Sequence, residues 1–84
     1  MFIQHLQPGL VDKLSYVTVL SDTNGRLTMK VLDTEGRIAK TLTAMVRAGR
    51  QQLELPMEDL HSGAYVLNAF SGGHFIKSFR FQKQ

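Results

Sequence analysis

The sequence contains no cysteine, which excludes a disulfide framework and any thiolate metal site and leaves the redox compartment unspecified. Long apolar runs are missing as well: nothing approaches the roughly eighteen consecutive apolar residues of a membrane-spanning helix, which argues against direct membrane insertion by a helix. The opening MFIQHLQPG lacks the basic start and apolar stretch of a signal peptide. Export would therefore need a signal carried by another segment of a larger precursor. There is no dense basic stripe interleaved with aromatics. Ten basic against seven acidic residues give +3, scattered from Lys13 to Arg50 before a looser group near the C-terminus. That distribution argues against nucleic acid as a partner. No repeat, linker or low-complexity tract divides the chain, so its 84 residues are expected to form one domain, with residues 1–12 its least defined boundary. A domain of this size buries roughly 60–70% of its unfolded surface, which favours function at a surface over function in a deep pocket.

What the sequence does contain is alternation. In residues 27–42, LTMKVLDTEGRIAKTL, Leu27, Met29 and Val31 share one face and Ile38, Lys40 and Leu42 share another, on either side of a turn closed by Gly36. The pattern predicts a hairpin near the centre of an antiparallel sheet. KLSYVTVL at 13–20 is a strand expected to be covered on both sides, and the Asn24-Gly25 turn follows it. Residues 43–49 fit one helical turn or a connection between sheets. RQQLEL at 50–55 is a strand with one wet face, stopped by Pro56. Residues 57–61 fit a single helical turn with Leu60 inward and Gly63 as a left-handed cap. AYVLNAF at 64–70 is apolar enough to lie inside a sheet. In the last segment, 74–82, Phe75, Lys77, Phe79 and Phe81 fall on one face and Ile76, Ser78 and Arg80 on the other. Residues 1–6 fit an edge strand. Together these segments predict an all-β, antiparallel β-sandwich of about seven short strands with one helical turn.

Residues that carry chemistry are sparse. His5, His61 and His74 lie in different segments with no second ligand at i+2 or i+4, whereas zinc needs three or more convergent ligands. No metal and no cofactor is expected. Asp59, His61 and Ser62 are near in sequence but lack the elbow and oxyanion hole of a nucleophile, so the chain is not expected to be an enzyme. Glu58 and Asp59 suit the start of a helical turn by charge, and Gly72-Gly73 suits a hairpin turn better than a phosphate loop.

Three successions in the chain carry a family pattern. Val31, Asp33, Gly36, Arg37 and Ile38 follow the order of "v-x-v-y-D-x-x-G-r-x-v", Ile38 one place early; Gly49, Leu53, Leu55, Leu60, Gly63 and Tyr65 follow the order of "G-x-x-x-x-x-L-x-L-x-x-L-x-x-G-x-Y", with Leu53 at an open place and Met57 at the second leucine; Lys77, Arg80 and Lys83 stand in a basic final strand. On these residues the chain resembles the type A C-terminal sorting domain of the type IX secretion system, over roughly the last sixty residues. The "P-N-P" opening of that family is reduced here to Pro8, and its usual tyrosine before Asp33 is Leu32. The resemblance implies an immunoglobulin-like sandwich that serves as an address. It also implies a cargo domain N-terminal to it in a full precursor; this chain is read as a domain excised from such a precursor, with a small stand-alone relative as the alternative. The implied partners are an outer-membrane translocon that reads the domain and a sortase-like protease that removes it. The implied route runs through the periplasm to the cell surface or medium.

Within that resemblance, Lys77, Arg80, Lys83, Gly36, Arg37, Gly63 and Tyr65 are the candidate recognition residues. Gly36, Gly63 and Tyr65 also fit plain structural roles in a turn, a cap and a packed strand. Replacing Lys77, Arg80 and Lys83 together by glutamine is expected to leave stability nearly unchanged, because charged side chains are seldom buried without a partner. Two alternatives use the same sandwich: an immunoglobulin-like structural spacer, which predicts an exposed apolar patch, and a carbohydrate-binding accessory module, which predicts exposed aromatics such as Phe75 or Tyr16.

Overall fold

Period-two alternation makes one side of a strand dry, and a chain with many such strands and no long helical pattern must stack two sheets to hide those sides. The computed structural model describes residues 1–84 and contains eight strands and no helix. They are β1 (Phe2–Gln7), β2 (Leu10–Val11), β3 (Leu14–Ser21), β4 (Gly25–Leu32), β5 (Ile38–Val46), β6 (Gly49–Pro56), β7 (Gly63–Ser71) and β8 (His74–Lys83). Sheet one has the order β1-β3-β6, and sheet two the order β2-β8-β7-β4-β5. The chain changes sheet between β1 and β2, β2 and β3, β3 and β4, β5 and β6, and β6 and β7. Only β4–β5 and β7–β8 are therefore hairpins between sequence neighbours. All pairings are antiparallel except β2 with β8, where Leu10 lies opposite Gln82 and Val11 opposite Lys83.

The core between the sheets takes Ile3 and Leu6 from β1, Val17 and Val19 from β3 and Leu55 from β6. Facing them are Val11, Leu27, Met29, Val31, Val46, Tyr65, Leu67, Ala69, Phe79 and Phe81 from sheet two. Ser15 is fully buried yet satisfied, its Oγ donating to the Gln7 carbonyl at 2.9 Å, which ties β3 to the crossing that leaves β1.

Several expectations are corrected. The 27–42 hairpin is not central: β4 is interior, paired with both β7 and β5, but β5 is the edge. The outer side of β3, with Tyr16, Thr18 and Leu20 half-buried and Leu14 exposed, has no covering layer. Residues 43–46 continue β5 as strand. Between β3 and β4 the chain crosses between sheets with Gly25 at negative φ, so Asn24-Gly25 is no hairpin turn.

Two bulges move side chains across a sheet. In β5, Lys40 pairs with Val31 but Ile38 pairs with Leu32, leaving Ala39 as the extra residue and turning Ile38 outward. In β8, Lys77 pairs with Ala69 but Phe75 pairs with Phe70, leaving Ile76 extra. Phe75 therefore leaves the face of Phe79 and Phe81 and is 59% exposed, its ring edge-on to Phe70 at 5.8 Å.

Between β6 and β7 the predicted helical turn is a β-turn, closed by the Leu60 N–H donating to the Met57 carbonyl at 3.1 Å. Met57 and Leu60 are both buried, and one such turn spaces them correctly, whereas a helix would spend its nucleation cost for a single hydrogen bond. Gly63 accordingly caps no helix. It opens β7 at φ +149°, where a Cβ would meet nothing within 4 Å. Gly63→Val is expected to cost about 1–3 kcal/mol through backbone strain alone. An unchanged urea midpoint would mean that the start of β7 relaxes to negative φ without loss.

Candidate recognition surface

The turn between β4 and β5 is built by Asp33. Its Oδ1 accepts the backbone N–H of Glu35 at 2.9 Å and of Arg37 at 3.0 Å, the self-bonded geometry that aspartate favours in turns. The Gly36 N–H closes the turn onto the Asp33 carbonyl at 3.0 Å, with Gly36 at φ +80°, a conformation glycine adopts without strain. Arg37 then folds back over the turn, its Nε 3.3 Å from Asp33 Oδ2 and its terminal nitrogen 2.8 Å from Glu35. The backbone N–H of Arg37, foremost among these contacts, holds the Asp33 carboxyl below the usual aspartate range. The D-x-x-G-R pattern is thus a self-contained turn, and the Arg37 side chain remains largely exposed.

The second pattern is a corner. The Tyr65 hydroxyl donates to the His61 carbonyl at 2.7 Å, four residues upstream, and the ring stacks on Phe81 at 5.6 Å with 19° between planes. A tyrosine near the start of a sandwich strand, bonded back to the preceding crossing, is the tyrosine corner of immunoglobulin-like sandwiches. Leu60 fills the core below it and Gly63 supplies the backbone between, so Leu60, Gly63 and Tyr65 act together as structure.

The three basic residues of β8 part company. Arg80 is exposed on the outer face of sheet two, opposite Val66. Lys83 is 8% exposed on the inner face, its Nζ donating to the Gln84 carbonyl at 3.0 Å. Lys77 is half-buried. Its Nζ donates to the Ile3 carbonyl at 3.4 Å and lies 5.4 Å from the Phe79 ring centroid and 5.7 Å from that of Phe2, bridging β8 to β1. The expectation that all three can be replaced without touching stability therefore fails for Lys83 and Lys77, and Arg80 alone is a free surface charge. On the opposite edge Lys40, facing inward, is paired at 2.5 Å with Asp59, whose carboxyl this hydrogen bond lowers below its usual range.

A shallow groove of about 530 Å³ joins what the chain order separates. Asp33 and Thr34 of the turn, Ala64, Tyr65 and Val66 of β7, and Arg80, Phe81 and Gln82 of β8 all line it, with Gly9 at the rim. Next to it, Arg80, Val66, Leu32 and Ile38 form one outer row across four strands. The turn, the corner and the final strand thus meet at one place, lined on its apolar side by Ala64, Tyr65, Val66 and Phe81, with Arg80 the one cation in the lining. Gly36 and Arg37 sit on the turn that forms its wall, while Lys77 and Lys83 point away. The sequence marks Leu32 and Ile38 only as motif positions and Val66 only as part of a strand, because their meeting in one outer row depends on register and on the β5 bulge. The histidines do not converge: His5 is on β1, His61 in the β6–β7 crossing and His74 at the start of β8.

Against known proteins, a family model described as "Secretion system C-terminal sorting domain" matches residues 13–80. No curated protein matches the chain. Among solved structures, the alkylpurine DNA glycosylase AlkC of Pseudomonas fluorescens, bound to DNA containing an abasic site analog, is similar with a TM-score of 0.55 at 15% identity. The likeness covers 99% of this chain and 30% of that one, and at such identity it concerns the fold.

Proposed function

Because the chain belongs to the family of type IX secretion system C-terminal sorting domains, we propose that the groove walled by the Asp33 turn and edged by Arg80 is the surface by which its secretion system reads it. The family assigns the coarser facts: the domain is a sorting signal, its partner is the type IX secretion system, it serves a cargo N-terminal to it, and the protein is secreted or held at the cell surface. The finer steps belong to this proposal. The folded domain crosses the periplasm with its cargo, an outer-membrane translocon engages the groove, and a sortase-like protease cuts between cargo and domain. The domain performs no chemistry in this scheme.

One observation carries the reading: three sequence patterns far apart in the chain line a single open groove. Two of them, the Asp33 turn and the Tyr65 corner, are explained by folding. Arg80 is not, since its side chain is exposed and has no carboxylate partner among the salt bridges. A residue with no structural duty in the groove's rim is the one to test. A reporter fused behind a signal peptide and ahead of this domain, in a host with the secretion system, should reach the cell surface or medium. Arg80→Glu should lower that export several-fold while shifting stability by no more than about 0.5 kcal/mol. Full export by Arg80→Glu would remove the groove from recognition. Periplasmic retention of the folded wild-type fusion would overturn the role in sorting.

A further inference from the structure

A sandwich has open edges, and each leaves a row of backbone N–H and C=O groups without partners; proteins commonly guard such edges with proline, charge, bulges or brevity. Three of the four edges here are guarded. β1 is bulged between Ile3 and Leu6, and β6 carries Arg50, Glu54 and Pro56. β2 covers only Gln82 and Lys83 of β8, and the open remainder of β8 is bulged at Ile76, charged at Lys77 and Arg80 and tied to β1 by Lys77. β5 is the exception. Beyond its bulge at Ala39, residues 40–46, KTLTAMV, pair regularly with β4 and contain no proline and one charge. That charge is Lys40, which points inward and is neutralised by Asp59.

We infer that β5 is an interaction edge and that the occupant it fits is the β5 of a second copy of this chain, added antiparallel across a two-fold axis at Thr43. The bulge sets the register, because the regular stretch 40–46 is symmetric about that residue. Thr43 then faces Thr43, Thr41 faces Met45, Leu42 faces Ala44 and Lys40 faces Val46. No like charges meet, threonine faces threonine, a favourable cross-strand pair, and the half-buried Leu42 and Ala44 gain cover. Such a contact is isologous and closes on itself, so it stops at a dimer in which two five-stranded sheets become one continuous sheet. The groove lined by Arg80 lies away from β5 toward β8 and stays open.

The test uses the full chain. Sedimentation of the wild type should show the mass rising toward twice that of the monomer as concentration climbs from the micromolar to the millimolar range, as suits a small interface. Thr43→Lys sets two lysines face to face and should weaken association at least tenfold. Thr43→Glu should do the same, and an equimolar mixture of the two should restore it. Because the chain has no cysteine, Thr43→Cys gives a clean second measurement: opposed Cα atoms lie about 4.5–5.5 Å apart across an antiparallel pair, within disulfide reach. Oxidation should cross-link it readily, while Gln52→Cys on the guarded β6 should stay monomeric. A wild type that remains monomeric into the millimolar range overturns the inference. So does a Thr43→Lys chain that associates like the wild type, a mixture that fails to restore association, or equal cross-linking at the two positions. In the first case an extended strand of a different protein is left as the occupant of this edge.

Discussion

Replacing Phe81 by alanine should destabilise the domain by about 3–5 kcal/mol, the loss expected for a buried aromatic ring. The side chain is 5% exposed, lies opposite Tyr65 in register and stacks on it. Its removal opens a void beneath the tyrosine corner, and the Tyr65 ring, held by its hydroxyl to His61, cannot easily swing to fill it. At 0.05–0.15 kcal/mol per residue a chain of this length has roughly 4–13 kcal/mol in all. The variant therefore loses about a quarter or more of its stability. Urea titration followed by circular dichroism should show a large fall in midpoint at similar slope. A loss under about 1 kcal/mol would mean that the β7–β8 pair repacks freely. Failed export of this variant would report unfolding and say nothing of recognition, which is why Arg80 is the better probe of the groove.

A larger effect is expected from deleting residues 1–12. The family match begins at residue 13, yet Ile3, Leu6 and Val11 are 1%, 8% and 0% exposed and sit in the middle of the core. At about 1.5–3 kcal/mol for each buried aliphatic side chain, their loss alone approaches the whole stability of the domain. Polar losses add to it: the Ser15 hydroxyl and the Lys77 ammonium lose the Gln7 and Ile3 carbonyls, and β8 loses the parallel partner that accepts from Gln82 and Gln84. Residues 13–84 alone should show no cooperative thermal transition. A sharp transition near that of the full chain would make β1 and β2 an appendage and place the domain boundary at residue 13.

The strands were legible because alternation reports directly which side chains seek the core: β3, β6 and β7 are found where Val17, Leu55 and Leu67 required them. Which sheet each strand joins was not legible, since the hydrophobic pattern of β4 is the same beside β3 or beside β7. Single inserted residues did the most damage. Ala39 and Ile76 each break the period once, and on either side of the break Ile38 and Phe75 change faces without any change in local composition. Lys83 is the opposite case. Its period-two spacing from Phe79 and Phe81 puts it on the inner face, but the segment was expected to end at residue 82, and the general rarity of buried lysine made it a surface charge. The groove was only half legible: the patterns at Asp33, Tyr65 and Arg80 stood out singly, and their meeting needed the register of three strands.

The pairing of β2 with β8 has a temporal meaning. The Gln84 N–H donates to the Val11 carbonyl at 2.8 Å and the Gln82 N–H to the Gly9 carbonyl at 2.9 Å, so contacts that finish the sandwich join segments over seventy residues apart in a chain of 84. Closing loops of that span comes late in folding, and on a ribosome it must wait until the last strand has emerged. β8, held between β2 and β7, also carries Arg80 into the groove beside a turn made much earlier. A polypeptide stalled or clipped before β8 would display the Asp33 turn but neither the arginine nor the closed edge. The groove is thus complete only once β8 has joined the sheet, because Arg80, Phe81 and Gln82 supply one side of it.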